Sequence, residues 1–155
     1  MMKILSPTTH GVLDYLLAIA FLAAPAFFSF ESQTAASLAR IIGIAYLVAS
    51  FVTRYPLGAL KWIPFRVHGV LEAVMAASWI VMPWLFGFAG DIATRNFFIV
   101  AGIGLLAVCA ITNYRAADYA YGPGGHERRV ASERRKRIIP VATDRRIGYD
   151  RRSYA

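Results

Sequence analysis

His10-Gly11-Val12-Leu13-Asp14-Tyr15-Leu16-Leu17-Ala18-Ile19-Ala20-Phe21-Leu22-Ala23-Ala24-Pro25-Ala26-Phe27-Phe28-Ser29-Phe30 is a run of 21 residues with a single charge, at Asp14. Taken from Thr9, it is long enough as a helix to cross a bilayer core of about 30 Å, which needs about 20 apolar residues. The same stretch returns after a shift of 58 residues. His68-Gly69-Val70-Leu71-Glu72 then lies over His10 to Asp14. Ala18/Ala76, Pro25/Pro83, Phe28/Phe86 and Phe30/Phe88 keep the register, giving 8 identities in 21 positions. Apolar sequences agree easily in Leu and Ala, but not in His, Pro and an acid at fixed spacing, so the chain reads as an internal duplication. With one further residue inserted, Gly43-Ile44 matches Gly102-Ile103, and Thr53-Arg54-Tyr55 matches Thr112-Asn113-Tyr114.

Each unit is a helical hairpin. Spans are expected from about Thr9 to Phe30, from Thr34 to Thr53 with Arg40 its one charge, between Arg66 and Asp91 with Glu72 its one charge, and from Asn96 to Tyr114 without charge. The fold class is therefore all-α: a membrane four-helix bundle built from two tandem parallel hairpin repeats, residues 1–57 and 58–114, followed by a basic, disordered tail, residues 115–155. Composition agrees. The chain is 57% hydrophobic and 17% charged, with a mean hydropathy of +0.48, away from the balance of soluble enzymes and of disordered chains. Helices apolar around most of their circumference would leave greasy outer faces in water, whereas lipid accepts them. Cys109, the only cysteine, excludes an internal disulfide and a multi-thiolate metal site.

Charge sets the orientation. The net +8 divides into +2 on residues 1–113 and +6 on residues 114–155. Lys3, Arg54, Lys61, Arg66 and the tail lie on one side, so both termini are expected in the cytoplasm. Lys3 and the apolar run up to Ala24-Pro25-Ala26 imitate a signal peptide. The recurrence of that run as the third span argues against cleavage.

Ala24-Pro25-Ala26 and Ser78-Trp79-Ile80-Val81-Met82-Pro83-Trp84-Leu85-Phe86-Gly87-Phe88 resemble the SPW repeat, a bacterial membrane family named for a Ser-Pro-Trp motif in the first of two spans per repeat. The return span Asn96-Phe97-Phe98-Ile99-Val100-Ala101-Gly102 is similar to the second helix of that repeat. The resemblance runs from about Ser6 to Tyr114 and implies architecture, with no activity to carry over. Serine is absent from the motif in both copies, and only the second keeps proline beside a tryptophan, Trp84.

Three sets of residues stand out in the spans. Pro25 and Pro83 free the carbonyls of Phe21 and Trp79 and are expected to bend the helix ends. Ala35, Ala39 and Gly43, with Gly102 as the counterpart of Gly43, form small faces that let backbones approach, read here as packing between repeats or as a homo-oligomer face. The third set carries the chemistry. His10 and Asp14 are four residues apart, as are His68 and Glu72, so each pair shares a helix face. If both faces turn inward, two imidazoles and two carboxylates converge and could hold a divalent metal or exchange protons. Bis-His haem ranks below these, since it needs the rings on opposite faces of one macrocycle and no attachment motif exists. The bland alternative is that each acid is favoured by its helix N-terminus and bonds its own histidine.

The tail repeats an acid-Arg-Arg triplet four times: Glu127-Arg128-Arg129, Glu133-Arg134-Arg135 (followed by Lys136-Arg137), Asp144-Arg145-Arg146 and Asp150-Arg151-Arg152. Its charge suits anionic phospholipid headgroups or a cytosolic protein, while sparse aromatics and the lack of an RNA-binding module disfavour nucleic acid. The leading functional reading is a non-enzymatic membrane structural or interaction protein. The alternative is a metal-, proton- or redox-linked protein using the His/acid pairs. Third comes a transporter, which with four spans would need to oligomerise.

Overall fold

The computed structural model describes residues 4–121, with side chains described as far as residue 117. Lys3 and the tail from residue 122 onward, with Arg128, Arg129, Arg134, Arg135, Lys136, Arg137, Arg145, Arg146, Arg151 and Arg152, lie outside the described residues, and the disorder expected of that stretch lies there with them. Four helices dominate: α1 (Pro7–Phe27), α2 (Gln33–Val52), α3 (Phe65–Leu85) and α4 (Ile92–Ile111). At 1.5 Å per residue each is about 30 Å long, the thickness of a bilayer core. Outward-facing Val12, Leu16, Ile19, Ile41, Ile44, Val48, Val70, Val81, Val100 and Ile103 are exposed. All four helices are long and apolar enough to cross a membrane.

Capping sets the boundaries. Ser6 and Ser32 accept the amides of Thr9 and Ala35 at the starts of α1 and α2. Asp91 accepts the Thr94 amide, so α4 begins at Ile92 rather than near Asn96, and Arg95 falls in its first turn. Asp91 also takes the Thr94 hydroxyl, and it accepts the Glu31 amide at 3.0 Å, tying together the two loops at that end. Slight desolvation of Asp91 is outweighed by these hydrogen bonds, and its carboxyl lies below the ordinary aspartate value. Asp91→Ala is expected to lose about 1 kcal/mol of stability. A group whose folded pKa is lowered contributes above its unfolded value of 3.8 and loses that contribution as pH falls through the folded value. The stability gap between wild type and variant, followed by unfolding in micelles, should therefore narrow on acidification below about pH 4.

The prolines terminate their helices. Pro25 and Pro83 lie in the last turns of α1 and α3, where their carbonyls accept the amides of Phe30 and Phe88 at 3.1 and 2.9 Å. Ser29 and Gly87, at equivalent positions of the two repeats, adopt left-handed φ values of 50° and 73°. This is the Schellman ending, in which the chain reverses after one left-handed residue.

Within each hairpin the helices meet at a glycine. A Cβ on Gly43 would lie 2.7 Å from Leu22 of α1, and one on Gly102 would lie 2.6 Å from the Ala76 carbonyl of α3. Ala35 and Ala39 are fully buried on α2. At both glycines the close approach is thus between the two arms of one hairpin, a correction to the expected seam between repeats. The seam is made by larger groups: Phe21 of α1 packs on Trp79 of α3 with ring centroids 4.5 Å apart, and Phe98 and Tyr46 join them.

The hairpins are also laced together at one end. Two short strands, β1 (Thr53–Arg54) and β2 (Ile63–Pro64), pair in parallel with Thr53 opposite Ile63. Leu5, the counterpart of Ile63, pairs with Thr112 in the same sense. The residue two positions before each first helix is thereby paired with the end of the other hairpin's return helix. Beyond Thr112 the chain forms a short helix, α5 (Tyr114–Tyr121). The first residues assigned to the tail are thus helical, because Ala117 packs against Tyr55 and Phe65.

Candidate metal centre

The lacing places two threonines beside two histidines. Thr53 donates its hydroxyl hydrogen to the Ala49 carbonyl at 2.6 Å, and Thr112 does the same to Val108 at 2.7 Å. With their hydrogens committed, both oxygens can only accept. Thr53 Oγ1 takes the Nδ1–H of His68 and Thr112 Oγ1 that of His10, each at 2.9 Å. Each imidazole is therefore held with its hydrogen on Nδ1 and with Nε2 turned into the bundle.

There the four expected residues meet. His10, Asp14, His68 and Glu72 are 0–2% exposed, and one ligand atom from each lies within 4.8 Å of all the others. His10 Nε2 is 2.9 Å from Glu72 Oε2 and 3.4 Å from Asp14 Oδ1. His68 Nε2 is 3.2 Å from Glu72 Oε1 and 3.4 Å from Asp14 Oδ2. The shortest contact crosses between repeats, rather than following the spacing of four within one helix. Neither Asp14 oxygen makes a hydrogen bond, and neither does His68 Nε2.

Those distances carry chemical information. A neutral imidazole with hydrogen on Nδ1 presents a lone pair at Nε2, and lone pairs facing carboxylate oxygens repel unless a proton or a metal cation sits between them. Tetrahedral ligands at 2.0–2.1 Å from an ion such as zinc stand about 3.3 Å apart. The four His–carboxylate separations, which draw on both oxygens of each carboxylate, lie near that spacing. Two carboxylates and two neutral imidazoles carry a charge of −2, which a divalent ion cancels. The carboxylates, not open space, face both Nε2 atoms, so a haem plane does not fit between the rings.

Aromatic rings cover one end of the cluster. Tyr55 and Phe65, both fully buried, stack at 5.4 Å, and with Tyr114 they close the end of the bundle over the cluster. Burial, followed by the negative field of Asp14, pushes the Tyr55 phenol above its usual value. Gly11 and Gly69 make room for the lid: a Cβ on either would come within 2.0 Å of the Tyr55 ring or 2.4 Å of the Tyr114 ring. On the other side Trp79 and Tyr46 form the floor.

The two carboxylates are not equivalent. Tyr46 donates its hydroxyl to Glu72 Oε1, and Cys109 Sγ and Tyr114 Oη approach Glu72 Oε2 at 3.8 and 3.5 Å. The counterpart of Tyr46 in the second repeat is Leu105, which has no hydrogen bond to give Asp14. Sequence reasoning missed Thr53, Thr112, Tyr46 and Tyr114 as members of the site. A signal existed for three of them, since Thr53/Thr112 and Tyr55/Tyr114 are matched positions of the duplication. Tyr46 breaks the repeat and gave no signal.

The remaining expected positions serve the scaffold: Pro25 and Pro83 end helices, and Gly43 and Gly102, with Ala35 and Ala39, lie in the packed interior. No curated protein and no solved structure matches the sequence. The family model for the SPW repeat domain matches residues 8–113, which contain both hairpins and all four residues of the cluster. The chain belongs to the SPW repeat family of membrane proteins.

Proposed function

We propose that this membrane protein binds one divalent transition-metal ion, of the zinc class, through His10, Asp14, His68 and Glu72. The observation that carries the reading is the set of three buried, unbonded polar atoms (both Asp14 oxygens and His68 Nε2) inside a buried four-ligand cluster. Two nitrogens and two oxygens with each histidine's far nitrogen tied to a hydroxyl match the way proteins orient metal ligands. Four protein ligands leave no open coordination position, which suits a structural or regulatory ion rather than a catalytic one. The non-enzymatic character read from the sequence is compatible with this role.

The test is direct. Protein stripped of metal in detergent and resupplied with zinc should retain about one ion per chain and melt at a higher temperature. Thr112→Val, which removes the group that orients His10, should weaken zinc affinity about 10–100-fold while leaving helicity intact. Failure to retain zinc, cobalt or manganese above the level of a His10→Leu/His68→Leu variant would mean that protons alone occupy the cluster, and the reading would fall.

The same proposal keeps the orientation read from loop charge: both termini in the cytoplasm of a bacterial cell, with Arg128, Arg129, Arg134, Arg135, Lys136, Arg137, Arg145, Arg146, Arg151 and Arg152 available to anionic headgroups. The support is the +6 carried by residues 114–155 and the attraction of about 1 kcal/mol per basic residue near an anionic leaflet.

A further inference from the structure

A groove of about 950 Å³ runs between α3 and α4 at the end of the bundle that carries the four-residue cluster. Arg66, Asn113 and Arg115 line it at that end, and both arginine residues are exposed. Further along, its walls are Val70, Ala73, Val74, Ala77 and Leu106. From Arg66 to Ala77 helix α3 rises about 16 Å, close to the depth of one leaflet of a bilayer core of about 30 Å. Small side chains at Ala73 and Ala77 make the track, and a second hollow continues it past Ser78 toward Leu85.

Two cationic forks above an apolar channel of leaflet depth are complementary to one kind of molecule. A guanidinium binds a phosphate diester through paired, charge-assisted hydrogen bonds, and the channel takes an acyl chain. The duplication supplies an internal comparison. The positions equivalent to Arg66 and Arg115 in the first hairpin are Thr8 and Pro56, so the charge pair belongs to the second hairpin alone. The docking of Ala117 against Tyr55 and Phe65 anchors α5, on which Arg115 sits.

We propose that the α3–α4 groove is a binding site for an anionic glycerophospholipid, with its phosphate at Arg66 and Arg115 and one acyl chain along Ala73 and Ala77. The site is independent of the metal reading, and the thermal unfolding midpoint of each variant serves as a separate check on folding. The experiment titrates the full chain in neutral detergent with phosphatidylglycerol, phosphatidylcholine or inorganic phosphate and counts bound lipid by native mass spectrometry. Wild type should retain phosphatidylglycerol saturably, about tenfold better than phosphatidylcholine, and Arg66→Gln/Arg115→Gln should remove that preference. Ala73→Leu/Ala77→Leu, which fills the channel and leaves every charge in place, should lower retention of phosphatidylglycerol by a similar factor. Equal retention of the two lipids overturns the proposal, as does displacement by inorganic phosphate alone. It is also overturned if the preference survives in Arg66→Gln/Arg115→Gln but is lost in Arg145→Gln/Arg146→Gln, an outcome that assigns binding to the tail.

Discussion

His10→Ala is expected to destabilise the bundle by about 3–5 kcal/mol and to abolish ion retention. Asp14 and Glu72 are 1% and 2% exposed, and His10 Nε2, 2.9 Å from Glu72 Oε2, is one of the two nitrogens that would hold the compensating cation between the carboxylates. Truncating it leaves two carboxylates in an aromatic chamber with one partner fewer. It also leaves Thr112 Oγ1 without the hydrogen bond it accepts from His10. The contrasting variant replaces the whole cluster with apolar groups of similar size: His10→Leu, Asp14→Leu, His68→Leu and Glu72→Met. Removing a buried ionic group in full is often neutral, or stabilising by about 1–4 kcal/mol. The quadruple variant should therefore unfold at or above the denaturant concentration of wild type while binding no ion. That pair of results would show that the cluster is kept for what it holds. If the quadruple variant is as unstable as His10→Ala, the four side chains are a staple of the fold and the metal reading loses its main support.

Gly102→Ala should cost about 1–3 kcal/mol and weaken ion binding as well. Its new methyl would stand 2.6 Å from the Ala76 carbonyl and 2.8 Å from Ile80 Cγ1. The first of these is backbone, so α3 and α4 must separate instead of a side chain turning aside. α3 carries both His68 and Glu72, whose distances to the α1 residues span only 2.9–3.4 Å. A shift of a few tenths of an ångström there is felt at the ion. Gly104, two residues along the same helix, has nothing within 4 Å of its Cβ position. Gly104→Ala should be neutral or stabilise the helix by up to about 1 kcal/mol. Thermal unfolding in micelles with and without zinc separates the two; equal effects from both substitutions would contradict the close-packing argument.

Much of the architecture was legible because it rests on local quantities. Span length, the spacing of four between His10 and Asp14, and the recurrence of His, Pro and acid at fixed offsets can all be counted along one strand of text. Pro25 and Pro83 could be recognised as breakers because proline lacks an amide hydrogen, although their role as the accepting residues of a helix ending depended on Ser29 and Gly87 adopting left-handed geometry. α5 was missed because eight residues form a stable helix only when something receives them, and Ala117 owes its place to Tyr55 and Phe65.

By itself, then, the sequence determined that four apolar helices form two like hairpins and that each hairpin carries an imidazole and a carboxylate on one face. Tertiary structure alone decided the rest: which way those faces rotate, that Thr53 serves the histidine of the second hairpin while Thr112 serves that of the first, and that Tyr46 supports Glu72 with no counterpart for Asp14. Rotation of a helix about its axis is set by packing across the bundle, here by Phe21 on Trp79 and by glycine contacts inside each hairpin. An all-round apolar helix carries no stripe that would announce its inner face.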